Sequence, residues 1–236
     1  MSLPELRPAL IADEFDLIAA TLPVAGARLL DLGCGDGAIS RRLAKAGARV
    51  TGVEVDPADV ARATALTPGD VPADFISGRA EALPFGDGSF DAALMLKSLH
   101  HVPQASMSTA LQEVARVLRP EGLLYVCEPV FAGPLNEIMR LFHDEQAERA
   151  AALAALHASV AGGAFDLVDE RLFLAPVSFA DFDDFDRRMM HLPTLPRPVS
   201  PEIRPRVRAA WDRLAVPLEG HFARPMRVTL LRRAAM

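Results

Sequence analysis

The sequence predicts an open α/β fold: a seven-stranded, mostly parallel sheet flanked by helices, with a helical elaboration over the candidate active site. Three observations carry this. Short apolar runs alternate with helix-periodic stretches through the first half of the 236 residues, the pattern of parallel βαβ units. The first run, Arg28 to Leu32, leads into a turn with glycine at alternate positions, Gly33-Cys34-Gly35-Asp36-Gly37, which opens a helix over Ala38 to Ala46. The second run, VTGVE, closes on an acid, Glu54, about 20 residues beyond that turn.

The remaining elements follow in order. Asp56-Pro57 pairs an N-cap residue with proline at the first helical position, so a helix begins there. Residues 72–77 read as the third strand and Phe90 to Leu96 as the fourth. Met107, Leu111, Val114 and Leu118 recur at helical spacing and give the next helix one apolar face. Pro120 and Gly122 stop it, and Leu123 to Glu128 form the fifth strand. Leu135 to Val160 is Ala-rich and reads as helix, with apolar Leu135, Ile138, Met139, Phe142, Leu153 and Leu156. Phe165 to Phe179 supplies a sixth strand and Phe182 to Met190 a short helix. The passage HLPTLPRPVSPEIRP breaks structure, and its prolines at 193–205 suit a surface loop over the crevice. A helix around Val207 to Leu214 and a last strand, Arg227 to Leu231, complete the chain. Without internal repeat or interdomain linker, 1–236 reads as one domain: a ligand-binding core over about 15–130, an elaboration over about 130–220, and the final strand within about 221–236.

Composition narrows the function classes. Half the residues are hydrophobic and 24% are charged, so the chain is globular rather than disordered. A net charge of −6 argues against a nucleic-acid partner, and the arginines of 204–213, interleaved with prolines and apolar residues, read as a solvated helix face. Cys34 and Cys127 have neither disulfide nor zinc spacing, which fits a reducing cytoplasm. The start MSLPELRPAL lacks a long apolar core, and charges or prolines interrupt every apolar run before about 18 residues. The expectation is a soluble cytoplasmic protein with no membrane partner. His143, His157, His191 and His221 are scattered without ligand spacing, so no metal site is expected.

The glycines allow positive φ and let a ligand approach bare backbone, while free N–H groups at the helix start face the crevice. Glu54 can accept two hydrogen bonds from a ribose diol. Together these predict an adenosine-containing ligand. The glycine pattern also fits a dinucleotide fingerprint, which leaves a nicotinamide-dependent oxidoreductase open. Charge favours another ligand. A pyrophosphate is repelled by a crevice lined by Asp31, Asp36 and Glu54, whereas the sulfonium and ammonium of S-adenosylmethionine suit it. Asp36 can instead point to solvent or cap the helix.

The stretch LLDLGCGDGAIS (29–40) resembles the glycine-rich motif of class I S-adenosylmethionine-dependent methyltransferases. GRAEALPFGDGSFDAALMLKSLHHV (78–102) resembles the family's next blocks, with an LPF run and an FD pair before the fourth strand. LQEVARVLRPEGLLYVCEP (111–129) resembles its helix–turn–strand five block. The resemblance covers roughly 15–130 and implies a Rossmann-like sheet whose last strand is inserted antiparallel. It implies S-adenosylmethionine as cofactor, S-adenosylhomocysteine as product, and a small-molecule acceptor methylated by in-line displacement. Gly33, Cys34, Gly35 and Gly37 then form the cofactor loop. Asp31 reaches the ammonium directly or through water, or else caps a helix. Glu54 takes the ribose, and Val55 packs on the adenine. Where such proteins commonly place an acid for the adenine amino group this chain has Arg79, so Ala80 backbone or Glu81 must hold the base. That departure keeps a non-catalytic binding protein open as a further alternative.

Lys97, Ser98, His100 and His101 follow the fourth strand at the carboxyl edge, where open α/β sheets bind ligands. Lys97 is a further cofactor-binding candidate. His100 or His101 can take a proton from a substrate; alternatively one packs inside and the other caps the next helix. Glu128 ends the fifth strand, placed to orient a substrate hydroxyl or amine, or to pair with Arg140. Asn136, Arg140, Phe142 and His143 are candidates to line an acceptor pocket, and Phe15 and Asp16 resemble the family's first helix, which folds over the cofactor.

Overall fold

The computed structural model describes residues 10–191 and 198–235. The first half runs α1 (Glu14–Thr21), β1 (Arg28–Leu32), α2 (Ala38–Lys45), β2 (Arg49–Glu54), α3 (Pro57–Ala65), β3 (Ala73–Ser77), β4 (Phe90–Leu96), α4 (Met107–Val117) and β5 (Leu118–Pro129). The second half runs α5 (Pro134–Met139), α6 (Gln146–Ala161), β6 (Phe165–Ser178), α7 (Phe182–Met189), α8 (Arg204–Leu214) and β7 (His221–Arg233). The seven strands form one sheet in the order β3-β2-β1-β4-β5-β7-β6. Parallel ladders join β1 to β2 and β4, β2 to β3, and β4 to β5. Strands covered on both faces need apolar side chains on both, and Leu29, Leu30, Ala92, Ala93 and Leu94 are fully buried.

β7 runs against β6. The carbonyl of Gly220, just before β7, accepts from Phe179 just after β6 at 3.1 Å, while Ala234 beyond β7 donates to Ala164 ahead of β6 at 3.2 Å. The antiparallel insertion that the resemblance implied is therefore present.

The chain divides into two compact units. The larger contains Glu14–Glu128, Ala150–Arg171 and the chain from Arg227 on; among the described residues the smaller contains 10–13, Pro129–Arg149 and the rest of 172–226. The larger core is aliphatic, with Met107, Leu111 and Val114 of α4 set against Leu83, Phe90, Met95 and Leu124. The smaller is aromatic: Phe179, Phe182, Phe185, Trp211 and Phe222 pack mostly edge-to-face or tilted. Such pairs add about 0.5–1.5 kcal/mol each beyond area burial. Phe142 joins this cluster, against Phe185. Among the described residues no helix is long and apolar enough to cross a membrane.

Two elements differ from expectation. β5 starts at Leu118, directly after α4, not at Leu123. Leu118 pairs with Phe90, and a register shift absorbs the next residues before Leu123 pairs with Ala92. Glu121 turns there at φ 62. The single helix expected over 135–160 is two, α5 and α6, because Asp144 accepts from the Gln146 N–H at 3.1 Å and starts a new helix. Part of the proline-rich passage, 192–197, and the N-terminal 1–9 lie outside the described residues.

Candidate functional site

The turn between β1 and α2 is glycine-rich for separate reasons at each position. Gly33, Gly35 and Gly37 all have left-handed φ, at 74°, 55° and 76°. A Cβ on Gly33 would stand 2.5 Å from the Ser98 Cβ, and one on Gly37 would stand 2.5 Å from the Phe75 ring. These two glycines are required by packing. Beside Gly35 nothing lies within 4 Å of such a Cβ, so its backbone faces open space. Asp36 caps the helix start, accepting from Ala38 N–H at 3.1 Å. Cys34 is half-buried, and burial pushes its thiol up, which disfavours the thiolate. Gly52 of β2 makes room for it: a Cβ there would stand 2.8 Å from the Cys34 Sγ.

Glu54 closes over this loop. One carboxylate oxygen accepts from the Gly35 N–H at 2.9 Å and the other from the Val55 N–H at 2.7 Å. Each oxygen retains a lone pair for a ligand hydroxyl. Val55 is 61% exposed, presenting an apolar side chain at the strand end. Arg79 and Glu81 pair with each other at 2.8 Å. Burial works to raise the Glu81 carboxyl, but its hydrogen bonds and the Arg79 charge hold it below the usual range. Ala80, between them, packs against the larger core.

Asp31 is 2% exposed and accepts from the Ser40 hydroxyl at 2.5 Å, which ties β1 to the first turn of α2. Burial pushes its carboxyl up to about 6, offset in part by Ser40 and Lys97 and reinforced by Glu14 and Glu54. Lys97 sits just after β4 at φ 57, a conformation disfavoured for a side-chain-bearing residue. Its N–H donates to Cys127 at 2.7 Å and its ammonium pairs with the Glu14 carboxylate. Glu14 was not legible in the sequence. It lies 83 residues from its partner, and no local pattern marks it. In the same helix the Phe15 ring lies under the Arg42 guanidinium, 3.9 Å away.

The candidate proton-handling groups come together in part. Glu128 is buried; one oxygen accepts from the Leu99 N–H at 2.9 Å and the other meets His100 Nδ1. Glu128 thus pairs with His100, while Arg140 pairs with Glu137. His100 is buried at 4% exposure, whereas His101 is exposed, its ring centroid 4.1 Å from that of His100. Neither caps α4, whose N-cap is Ser106. Ser98 connects the halves of the site: it fills the space at Gly33 and donates to the Leu32 carbonyl at 2.7 Å.

A glycine turn at the carboxyl edge of a parallel sheet, overhung by the acid of the next strand, defines a nucleoside-binding α/β domain. Residues 30–126 match the family model of a methyltransferase domain, the stretch that resembles the class I S-adenosylmethionine-dependent methyltransferases. The 2-methyl-6-phytyl-1,4-hydroquinone methyltransferase of Synechocystis is 45% identical over 46% of this chain and 33% of its own length. A ubiquinone biosynthesis O-methyltransferase of Xanthomonas oryzae is 38% identical over 47% and 46%. The chain thus spans less than half the length of either relative. Among solved structures, the YcgJ protein of Bacillus subtilis shares the fold at TM-score 0.70 and 20% identity, covering 94% of this chain and 98% of that one. The [4+2]-cyclase SpnF shares it at 0.60 and 24%, covering 94% and 80%.

Proposed function

We propose that the chain transfers the sulfonium methyl group of S-adenosylmethionine to a hydroxyl of a small-molecule acceptor, with His100 as the base. The pairing of buried His100 with Glu128, on the turn that packs through Ser98 against Gly33, carries this reading. The residues present suit the cofactor: open space beside Gly35 and a carboxylate over it with lone pairs to spare. Glu54 would hold the ribose hydroxyls, the Gly35–Gly37 backbone and the region of Asp31 the methionine end, and Val55 with the Ala80–Glu81 backbone the adenine. Bound there, S-adenosylmethionine supplies an electrophilic methyl carbon whose leaving group is a neutral thioether.

The chain's own contribution is alignment and proton removal. Fixing the acceptor in line contributes up to about 7–11 kcal/mol. Glu128 engages Nδ1 of His100 and so orients the imidazole ring. Proton removal by a positioned base adds about 10²–10⁴-fold. Relatives named for a hydroquinone and for ubiquinone biosynthesis favour an aromatic hydroxyl as acceptor. Net charge −6 favours a small molecule over a nucleic acid, and two unpaired cysteines suit the cytoplasm. The test is His100→Ala, assayed with labelled methyl donor against catechols and hydroquinones. Turnover should fall by about 10²–10⁴-fold while S-adenosylhomocysteine affinity is unchanged. Equal turnover by variant and parent would remove His100 from the chemistry.

A further inference from the structure

We infer that the larger unit carries a second ligand-binding site at the amino ends of β1 and β2, one that takes a small zwitterion: an α-amino acid with an apolar side chain. The glycine turn follows β1 at the opposite, carboxyl edge of the sheet, so the two sites do not overlap. A cavity of about 220 Å³ opens among Arg28, Arg49, Thr51 and Asp74. Val50, Pro72 and Phe90 supply its apolar lining. Arg28 and Arg49 stand opposite each other in the parallel ladder of β1 and β2, and Asp74 stands opposite Thr51 in that of β2 and β3. Adjacent strands of a covered parallel sheet are ordinarily apolar, and like charges facing across a ladder are destabilising. Nearby acids do little to relieve the two arginines. Asp91 is engaged by Arg119 at 2.9 Å and by the Arg28 backbone N–H at 2.8 Å, which leaves the Arg28 guanidinium 3.9 Å away from it. Arg49 and Asp74 line the same cavity, yet neither pairs with the other or with another charge among the described residues.

The lining selects the ligand. Guanidinium groups offer paired N–H donors whose geometry matches a carboxylate, so the Arg28–Arg49 side takes the anionic end. Asp74 offers only acceptors, and with the Thr51 hydroxyl it takes an ammonium. A plain carboxylate would leave Asp74 unused, and a phosphate dianion would be repelled by it. An α-amino acid presents both charges on one carbon and turns its side chain to Val50, Pro72 and Phe90. Size agrees: a cavity of about 150 Å³ holds benzene, and pockets for drug-sized molecules begin near about 300 Å³.

The experiment follows the Arg49 Nε–H resonance of the full chain labelled with ¹⁵N-arginine, assigned with Arg49→Lys. L-phenylalanine should shift it saturably. Hydrocinnamate, which lacks the ammonium, should bind more weakly by about tenfold or more, and phenethylamine and inorganic phosphate should leave the resonance in place. Asp74→Asn should erase the preference for phenylalanine over hydrocinnamate, and Arg49→Gln should weaken phenylalanine by about tenfold or more. Neither variant should change S-adenosylhomocysteine affinity, which also reports that each is folded. A resonance indifferent to phenylalanine in the parent chain would overturn the site, leaving strand-end charges met by water alone. Equal affinity for hydrocinnamate, or a response to phosphate as strong as that to phenylalanine, would overturn it in favour of a simple anion site. The probe series reads the amino edge of the sheet directly, so a failure of the proposed methyl transfer is not confused with a failure here.

Discussion

Asp31 is where binding and stability pull in opposite directions. Its carboxyl is pushed from 3.8 to about 6 by burial, so the folded chain holds that proton more tightly than the unfolded one. Stability therefore falls as pH rises from about 4 to about 6, and the full cost stands above that window; a shift of this size corresponds to about 3 kcal/mol. A fold accepts such a cost where the charge serves a ligand. Asp31→Asn keeps an oxygen for the Ser40 hydroxyl and removes the charge. In denaturant titrations of the ligand-free protein at about pH 8 it should be more stable by about 1–3 kcal/mol, and the gain should shrink toward about pH 4. A gain of equal size at both pH values would show that the carboxyl does not titrate in that window.

At the level of elements, one arginine explains why two of the motif blocks occur together. Arg116 on α4 donates to the carbonyls of Leu83 and Phe85 and to the carboxylates of Asp87 and Glu113. Glu113 in turn accepts from the Leu83 N–H at 2.9 Å, and Arg116 holds its carboxyl down at about 2. The LPF run is thereby clamped to the helix, with Phe85 edge-on to Phe90 at 4.9 Å. Arg116→Ala strands two carbonyls at once and should lower unfolding free energy by about 1–3 kcal/mol, seen as a lower denaturant midpoint. An unchanged midpoint would mean the 83–87 segment is held by burial of Leu83 and Phe85 alone.

Such clamps explain what the sequence could and could not disclose. Strands such as Leu29–Leu32 and Ala92–Met95 were legible because burial on both faces demands unbroken apolar runs. The α5–α6 break was not, since Leu135, Ile138, Met139 and Phe142 keep helical spacing and the interruption comes from the Asp144 cap and a buried polar cluster. β5 was read late because Pro120 and Gly122 look like a helix stop followed by a turn, whereas the chain pairs Leu118 with Phe90 before them.

For the molecule as a whole, the fold narrows the ligand but leaves the reaction to the site, since one fold is shared by a hydroquinone methyltransferase's matching domain and by a cyclase. The loop and its acid were legible because both are fixed by local geometry: alternate glycines after a strand, and a carboxylate at the next strand end. Glu14, Ser40 and the pairing of His100 with Glu128 were not, because they join residues distant in sequence or hidden by the helical repeat. What remains common to all of it is a crevice whose charged groups suit a cationic nucleoside. Calorimetry on the purified chain is the most direct measurement, with S-adenosylmethionine, S-adenosylhomocysteine and NAD titrated in parallel. Heat of binding for both sulfur nucleosides and none for NAD is the expected result. Binding of NAD with no heat from either sulfur nucleoside would contradict it.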